Sequence, residues 1–421
     1  MGKSFFKFAL VFYPVFTFAP IGVHYSPLTA LFLSVPGVLI MLGRLGRYRA
    51  VDLCFLTMAV FIVVATFVNG FKYGYGLYEI VFSLVPVIVG MSVYFYVSNM
   101  RSDDSKFSMI GVLPKVHYFV LAIGVVEVLC LLSVLPREIK TIISTFFSGI
   151  SSSRIQLLTR EASWASMYLL MVAPFVYYYL PRYRTGVIFL SGMLFLMIFS
   201  AYGILCAGAA YILFNFYRSP SGVAYIGKAF LISLVFIISV FILYKTAVWL
   251  HEMNGGGYHT SRVLRLVNVD SFEQLIGLDG SVFLRVMYPL YAIDIFLHNP
   301  LGVGVVSYPA VFNEYITSAP YADLAFQNPE ILGDIYSSSA DPRSFYTAVL
   351  ACGGVGAFVF FVSALFLLVT RLNRIRDATY KSALAMLFFI SLAIMLQFGT
   401  LSLLPFWLVS GLIVSATNDR I

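Results

Sequence analysis

A chain of 421 residues that is 60% hydrophobic and only 11% charged lacks the polar side chains to cover a globule of its size, which excludes a soluble fold. Its formal charge of +8 does not point to nucleic acid, because the basic residues sit in short clusters between apolar runs. That pattern orients membrane helices, so the chain reads as an all-α polytopic membrane protein embedded in a lipid bilayer.

Lys3 and Lys7 ahead of an apolar run imitate a secretory leader. Pro14 and Pro20 interrupt that run, no small-x-small cleavage site follows, and a second apolar run begins at once. The segment therefore reads as a first membrane helix. Crossing a bilayer takes roughly 20 apolar residues, with shorter runs tolerated. On that measure about twelve spans are expected, at 8–23, 27–42, 51–69, 77–98, 116–135, 162–180, 186–199, 201–217, 229–249, 345–369, 382–399 and 401–416. The nearly unbroken apolar runs 186–217 and 382–416 are divided at Ser200 and at Gly399-Thr400. With the first residue inside, most of the 27 basic residues fall in inner loops, among them Arg44, Arg47, Arg49, Arg101, Arg371, Arg374 and Arg376. Both ends are then cytoplasmic. Residues 1–249 carry nine spans and a short outer segment at 136–161, residues 250–344 form one large outer loop, and 345–421 hold the last spans. Cys54, Cys130, Cys206 and Cys352 lie in or beside apolar runs, as small apolar fillers do.

In the outer segment, Ile139, Ile142, Ile143, Phe146, Phe147 and Ile150 share one helical face, with Arg137, Glu138, Lys140, Ser144 and Ser148 opposite. Such a helix lies flat in the membrane interface. Ser153-Arg154-Ile155-Gln156 follows with a capping-box pattern, and Thr159-Arg160-Glu161 stands at the mouth of the next span. Glu127, in the middle of a span, costs about 2.5 kcal/mol or more in lipid and must face a partner or a wet cavity. In the large loop, Ser281 to His298 reads as a helix with Pro289 inside it, ended by Asn299-Pro300. Its apolar part is too short to span easily, so it belongs at the surface or half inserted. Residues 308–341 are mixed and aromatic-rich without a clear period.

The inner loops are too short for a folded domain and no P-loop occurs, so a built-in nucleotide motor is excluded. Chemistry falls to the outer side, on a substrate that arrives activated. Arg154, Arg160, Arg262, Arg285 and Arg343 stand there, with Arg265 beside Arg262. A guanidinium fork binds phosphate oxygens in pairs and stays charged where water is scarce. Salt bridges to the many acids of the same loop are the bland alternative. Glu161 either complements a helix dipole, worth roughly 0.3–1 kcal/mol, or serves as a base, with Asp341 the next candidate for that work. His298 is a base or, more simply, a helix-end cap. No ligand spacing for a metal is present. Tyr288, Tyr291, Tyr308, Tyr315, Tyr321, Phe326, Tyr336, Phe345 and Tyr346 could stack on sugar rings, or form an interfacial aromatic belt.

Three segments together resemble the O-antigen polymerase and ligase superfamily of bacterial inner membranes. Arg154 to Ser163 is similar to that family's arginine followed by Glu-x-Ser at the start of a span. Arg285 with His298-Asn299-Pro300-Leu301-Gly302-Val303-Gly304 resembles its arginine and Pro-Leu-Gly-x-Gly segment. Arg343-Ser344-Phe345-Tyr346 leading to Gly353-Gly354-Val355-Gly356 resembles the return from its large loop. Ligases carry a His-Asn-like pair where Pro342-Arg343-Ser344 stands here, which favours the polymerase branch. The resemblance implies a GT-C-like membrane glycosyltransferase with a periplasmic active site. It also implies an undecaprenyl-pyrophosphate-linked oligosaccharide as donor, no cofactor or metal, and a chain-length regulator protein as a partner. On that expectation Arg154, Arg285 and Glu161 are catalytic, and Arg160, Arg262, Arg265, His298, Asp341, Arg343 and Tyr346 bind substrate. The rival expectations are a ligase that passes glycan to lipid A core and a flippase for lipid-linked oligosaccharides. Long outer loops do not suit the flippase.

Overall fold

The computed structural model describes residues 28–44, 46–100, 113–148, 155–157, 159, 162–179, 184–198, 200–218, 271–277, 280–327, 329–337 and 339–417. Among them the regular structure is entirely helical. Ordered along the chain, α1 is Leu28–Gly43, α2 Ala50–Lys72, α3 Leu77–Ser83, α4 Val85–Ser98, α5 Leu113–Leu131 and α6 Arg137–Ser148. Then come α7 Ala162–Tyr179, α8 Arg184–Ile198 and α9 Ala201–Arg218. The long segment ahead of the last helices supplies α10 Phe272–Gly277, α11 Gly280–His298, α12 Tyr308–Ile316, α13 Ala322–Phe326 and α14 Pro329–Tyr336. Last are α15 Phe345–Asn373, α16 Ala378–Ile394 and α17 Leu404–Ser415. The expected first and ninth spans, 8–23 and 229–249, lie outside the described residues.

Among the described residues, 4 helical stretches are long and apolar enough to cross a membrane: Ala50–Lys72, Leu77–Ser98, Phe345–Asn373 and Ala378–Gln397. Their outward faces are apolar, as lipid requires: Val60, Val64 and Val68 on α2 and Val355, Val359, Val362 and Phe366 on α15 are all exposed. Leu77–Ser98 is broken at Leu84, because Pro86 cannot donate a backbone hydrogen bond and its ring crowds the preceding turn. Both sequence divisions coincide with helix breaks. Ser200 caps α9 by accepting the Gly203 N–H at 3.2 Å. Residues 398–403 separate α16 from α17, with Phe398 extended and Pro405 opening the next helix.

The core is built from α2, α4, α15, α16 and α17, where Phe55, Tyr94, Phe345, Phe361, Phe406 and Trp407 meet mostly edge to face. Helix ends that the span reading puts on one side meet in the structure. Arg49 reaches Ser98 and Arg371 reaches Thr417 at one end. At the other end Tyr202 and Trp164 meet Phe398.

The Pro-Leu-Gly-Val-Gly stretch is a seam that fastens the segment bearing α11 to α2 and α15. The Val303 N–H donates to Ala351 O (2.8 Å), Gly304 N–H to Cys352 O (3.0 Å) and Val355 N–H to Pro300 O (2.9 Å). Thr66 Oγ1 of α2 accepts the Val305 N–H at 3.0 Å, and Asn69 Nδ2 donates to Gly302 O at 3.1 Å. These contacts break α15 at Gly354, whose φ of 73° leaves the helical region. A Cβ on Gly302 would stand 2.6 Å from Gly354 N, and one on Gly304 would stand 2.5 Å from Thr66 Cα. Only glycine permits that backbone approach at positive φ.

In α6, Lys140 and Ser144 are buried while Ile142 is 67% exposed and Arg137 and Glu138 are exposed too. The buried carboxylate of Glu127 attracts Lys140 inward. One expectation is corrected: several loop aromatics cannot stack on a ligand. Tyr288, Tyr291 and Tyr308, with Phe312, are the buried core of the loop's own short helices, which need one to hold together. Tyr336 remains exposed.

Candidate functional site

The site is organised by the end of α16. The last carbonyls of any helix have no partner within it, and a buried helix end must find donors elsewhere. Here Tyr346 Oη donates to Leu392 O (3.0 Å), Cys206 Sγ to Ala393 O (3.5 Å), Tyr202 Oη to Ile394 O (2.7 Å) and Ser344 Oγ to Met395 O (3.3 Å). Side chains from α9 and from the start of α15 thus converge on one negative helix end, which favours cations nearby. Arg285, in the second turn of α11, lies within electrostatic reach of Tyr202. Phe398, just past the helix end, packs against Trp164 in the first turn of α7 (centroids 5.1 Å apart) and against Tyr202 (5.7 Å).

Gly399 follows, and a Cβ there would meet Arg343 N at 2.6 Å and Asp341 Oδ1 at 2.9 Å. The turn bearing these residues is tight. Arg343 has φ 51°, its N–H donates to Asp341 Oδ1 (2.7 Å) and its Nη2 donates to Asp334 Oδ2 (2.8 Å). The guanidinium also covers the Tyr288 ring at 5.8 Å. Arg343 is therefore held by local acids and works on Asp341, the arrangement expected of a positioning residue rather than of a grip on a ligand. Asp341 is crowded by protein, and that desolvation raises its carboxyl, opposed by Arg343. Its side chain still keeps 45% of its surface accessible. A carboxylate that is hemmed in yet open to solvent is suited to exchanging protons with a ligand.

Of the residues singled out in the sequence, Tyr346 caps this helix end, Asp341 and Arg343 lie against Gly399 beyond it, and Arg285 is within electrostatic reach of Tyr202. Tyr346 is half-buried and donates its hydroxyl to the backbone. His298 is not brought there. It ends α11, about 20 Å along the helix from Arg285 at 1.5 Å per residue. Its Nδ1 lies 2.9 Å from Asp294 O and its side chain is 72% exposed, which is the helix-end cap. Arg154, Arg160, Glu161, Arg262 and Arg265 lie outside the described residues.

The flanks of the Arg154–Glu161 stretch are described. Glu127 Oε2 accepts the N–H groups of Gln156 and Leu157, both at 3.0 Å, and Leu157 takes φ 47°. The capping-box pattern at 153–156 therefore does not start a helix; the buried carboxylate takes those N–H groups and helix α7 begins at Ala162. This is the partner that Glu127 needs in an apolar surrounding. Sequence reading did not single out Trp164, Tyr202, Phe398 or Asp334. The first three stand at or beside helix breaks, the only signal that could have marked them. Models of known protein families give no match to the chain, and no curated protein matches it either.

Proposed function

We propose that the protein is a membrane glycosyltransferase of the polysaccharide polymerase type, on a twelve-span, GT-C-like scaffold in a bacterial inner membrane. It joins undecaprenyl-pyrophosphate-linked oligosaccharide units at the periplasmic face. The hydroxyl of the acceptor sugar attacks the anomeric carbon of the donor glycan. The bond from that carbon to the pyrophosphate oxygen breaks, and the acceptor proton passes to a carboxylate. Arg285 meets the charge growing on the departing diphosphate, help typically worth a few kcal/mol of barrier per donor. Asp341, held by Arg343, takes the proton, a contribution of roughly 10²–10⁴ in rate. By their place in the sequence, Arg154, Arg160 and Glu161 just ahead of α7 and Arg262 and Arg265 in the large loop are assigned to the same work. Trp164 and Phe398, both partly exposed, offer aromatic faces to the sugars.

The observation that carries this reading is the convergence of a guanidinium, a restrained but open carboxylate and an aromatic group on one buried helix end. That end lies beside the helix introduced by Arg154, Arg160 and Glu161. The test is reconstitution of the purified protein in liposomes with undecaprenyl-pyrophosphate-linked repeat units. Polymer should form while undecaprenyl pyrophosphate is released. Movement of the lipid across the bilayer without bond formation would make the protein a flippase. Transfer that occurs only when lipid A core is supplied would make it a ligase.

A further inference from the structure

The two parts of α15 on either side of Gly354 are buried in different ways. Ahead of it, Thr347, Ala348, Val349, Ala351, Cys352 and Gly353 are all buried, so the helix is enclosed on every side. Beyond it the buried positions are Ala357, Phe361, Ala364, Leu368 and Leu372, the single stripe of a helix with lipid on its other face. The two parts are also capped separately. The carbonyls of Ala351 and Cys352 accept the N–H groups of Val303 and Gly304, while the Val355 N–H donates to Pro300 O. At Gly354 the chain folds back on itself. The rings of Phe345 and Tyr346 lie 5.5 and 5.9 Å from that of Phe361. An unbroken helix would hold residues 345 and 361 about 24 Å apart.

The rise of the helices gives the height of the folded-back end. Phe361 is about 18 Å along α15 from Asn373, and Phe406, which also meets Phe345, is about 14 Å along α17 from Ser415. Leu392, whose carbonyl takes the Tyr346 hydroxyl, is about 21 Å along α16 from Ala378. These reference ends lie with Arg49 and Arg371 at one end of the bundle. Tilt, or a helix end projecting among headgroups, only lowers the heights, and the hydrocarbon core is about 30 Å thick. Residues 344–346 therefore stop inside the membrane. Charged groups go with them. Asp341 and Arg343, in the turn ahead of Phe345, lie against Gly399 with side chains 45% and 29% accessible. Hydrocarbon would cost each such charge about 2.5–3.5 kcal/mol. Extended backbone, as at Phe398, is tolerated at that depth only within protein or beside water. We propose that residues 345–353 are a re-entrant half-helix and that Asp341 and Arg343 floor a water-filled recess sunk into the membrane. It opens on the side of α11 and α14, opposite Arg49 and Arg371, and takes the hydroxyl-bearing, water-soluble part of a ligand rather than a lipid tail. This placement holds whatever reaction the site performs.

Two measurements on the full-length protein in nanodiscs test it, with nitroxides on single introduced cysteines and the wild type, its own cysteines in place, as the blank. The first reads the fold. By pulsed electron paramagnetic resonance, labels on Tyr346→Cys and Phe366→Cys should lie well under the about 30 Å that an unbroken helix imposes. A separation near that value would overturn the re-entrant helix. The second reads hydration. Collisions with a water-soluble nickel chelate at Asp341→Cys should be about tenfold more frequent than at Val362→Cys, which faces lipid beside Phe361, and should approach those at the exposed Tyr336→Cys. Thr400→Cys, next to Gly399, leaves the clasp of Arg343 on Asp341 intact and should give the same result even if Asp341→Cys fails to fold. Oxygen, which concentrates in hydrocarbon, should show the opposite order. Oxygen-dominated collisions at positions 341 and 400 would put the turn in lipid, and shielding from both reagents would close the recess; either outcome overturns the proposal.

Discussion

The seam at Pro300–Val305 and the site at the end of α16 both join the segment bearing α11 to the long apolar helices, yet they are made of different material. The seam is backbone against backbone: amides and carbonyls pair across Gly302, Gly304 and Gly354, with no charged side chain in the joint. At the site, side chains make the joints, from the hydroxyls that cap α16 to the clasp of Arg343 on Asp334 and Asp341. The glycine-rich motifs thus serve to hold α11 in place. The groups able to act on a ligand are carried by α11 and by its neighbours.

If that division is right, the largest effect of any single change is a folding effect at the seam. Gly354→Val puts a Cβ 2.4 Å from the Leu301 carbonyl carbon at a backbone φ of 73°. The left-handed conformation costs about 1–2 kcal/mol for such a residue. The clash with rigid backbone adds roughly 1–3 kcal/mol. Little folded protein should be recovered on size-exclusion chromatography in detergent. Gly208→Ala is the matched control. Nothing stands within 4 Å of a Cβ there, and alanine should gain about 0.5–1 kcal/mol within α9.

Next in size come changes at the site, which should affect activity and leave folding intact. Asp341→Asn keeps an acceptor for the Arg343 N–H but removes the proton acceptor, so polymer formation should fall by roughly 10²–10⁴. Stability should move the other way. Crowding raises the Asp341 carboxyl above its ordinary value, so the ionised form costs folding free energy at neutral pH. That cost disappears as pH falls through the raised value toward the ordinary carboxylate range, where folded and unfolded chains are both protonated. Asn should therefore match or exceed the wild-type Tm at pH 7, with the gap closing on acidification. Solvent at the open side of the carboxylate keeps the gap small. A clear drop in Tm at pH 7 would make Asp341 a structural partner of Arg343. Arg285→Lys follows. It keeps the charge and loses the fork, and should cut polymer formation about 10²-fold, the scale of one lost donor at a developing anion. Unaltered chain lengths at normal protein abundance would detach Arg285 from the chemistry.

Much of this architecture can be read from the sequence, because lipid imposes one long-range rule: each crossing needs an apolar run. The breaks at Ser200 and near Gly399 followed from polar or flexible residues inside such runs, and Ser281 to His298 was legible from its pattern. The inward turn of Lys140 was not. A helix in a membrane interface can face either way, and the buried Glu127 that decides the matter lies in a different helix. Tyr202, Phe398 and Trp164 were equally hidden, since their part depends on α16 ending where they meet it. The glycines announced a special backbone without saying what it touched. Arg343 was recognised as a notable charge, but its commitment to Asp334 depends on a left-handed turn that composition does not reveal.

The smallest expected effect is the sharpest check on the separation between seam and site. His298 belongs to the motif segment by sequence and to neither working part by geometry. Its ring bonds back to the carbonyl one turn earlier, its side chain stands in solvent, and α11 carries it about 20 Å from Arg285. As a cap it contributes at most on the order of 0.3–1 kcal/mol, and less where water and salt screen it. His298→Ala should leave the polymer ladder unchanged, with at most a small loss of Tm. A collapsed ladder from a stably folded His298→Ala protein would mean that the ligand reaches along α11 as far as the seam. The glycine motif would then border the reaction, and the end of α16 would be only one edge of a longer site.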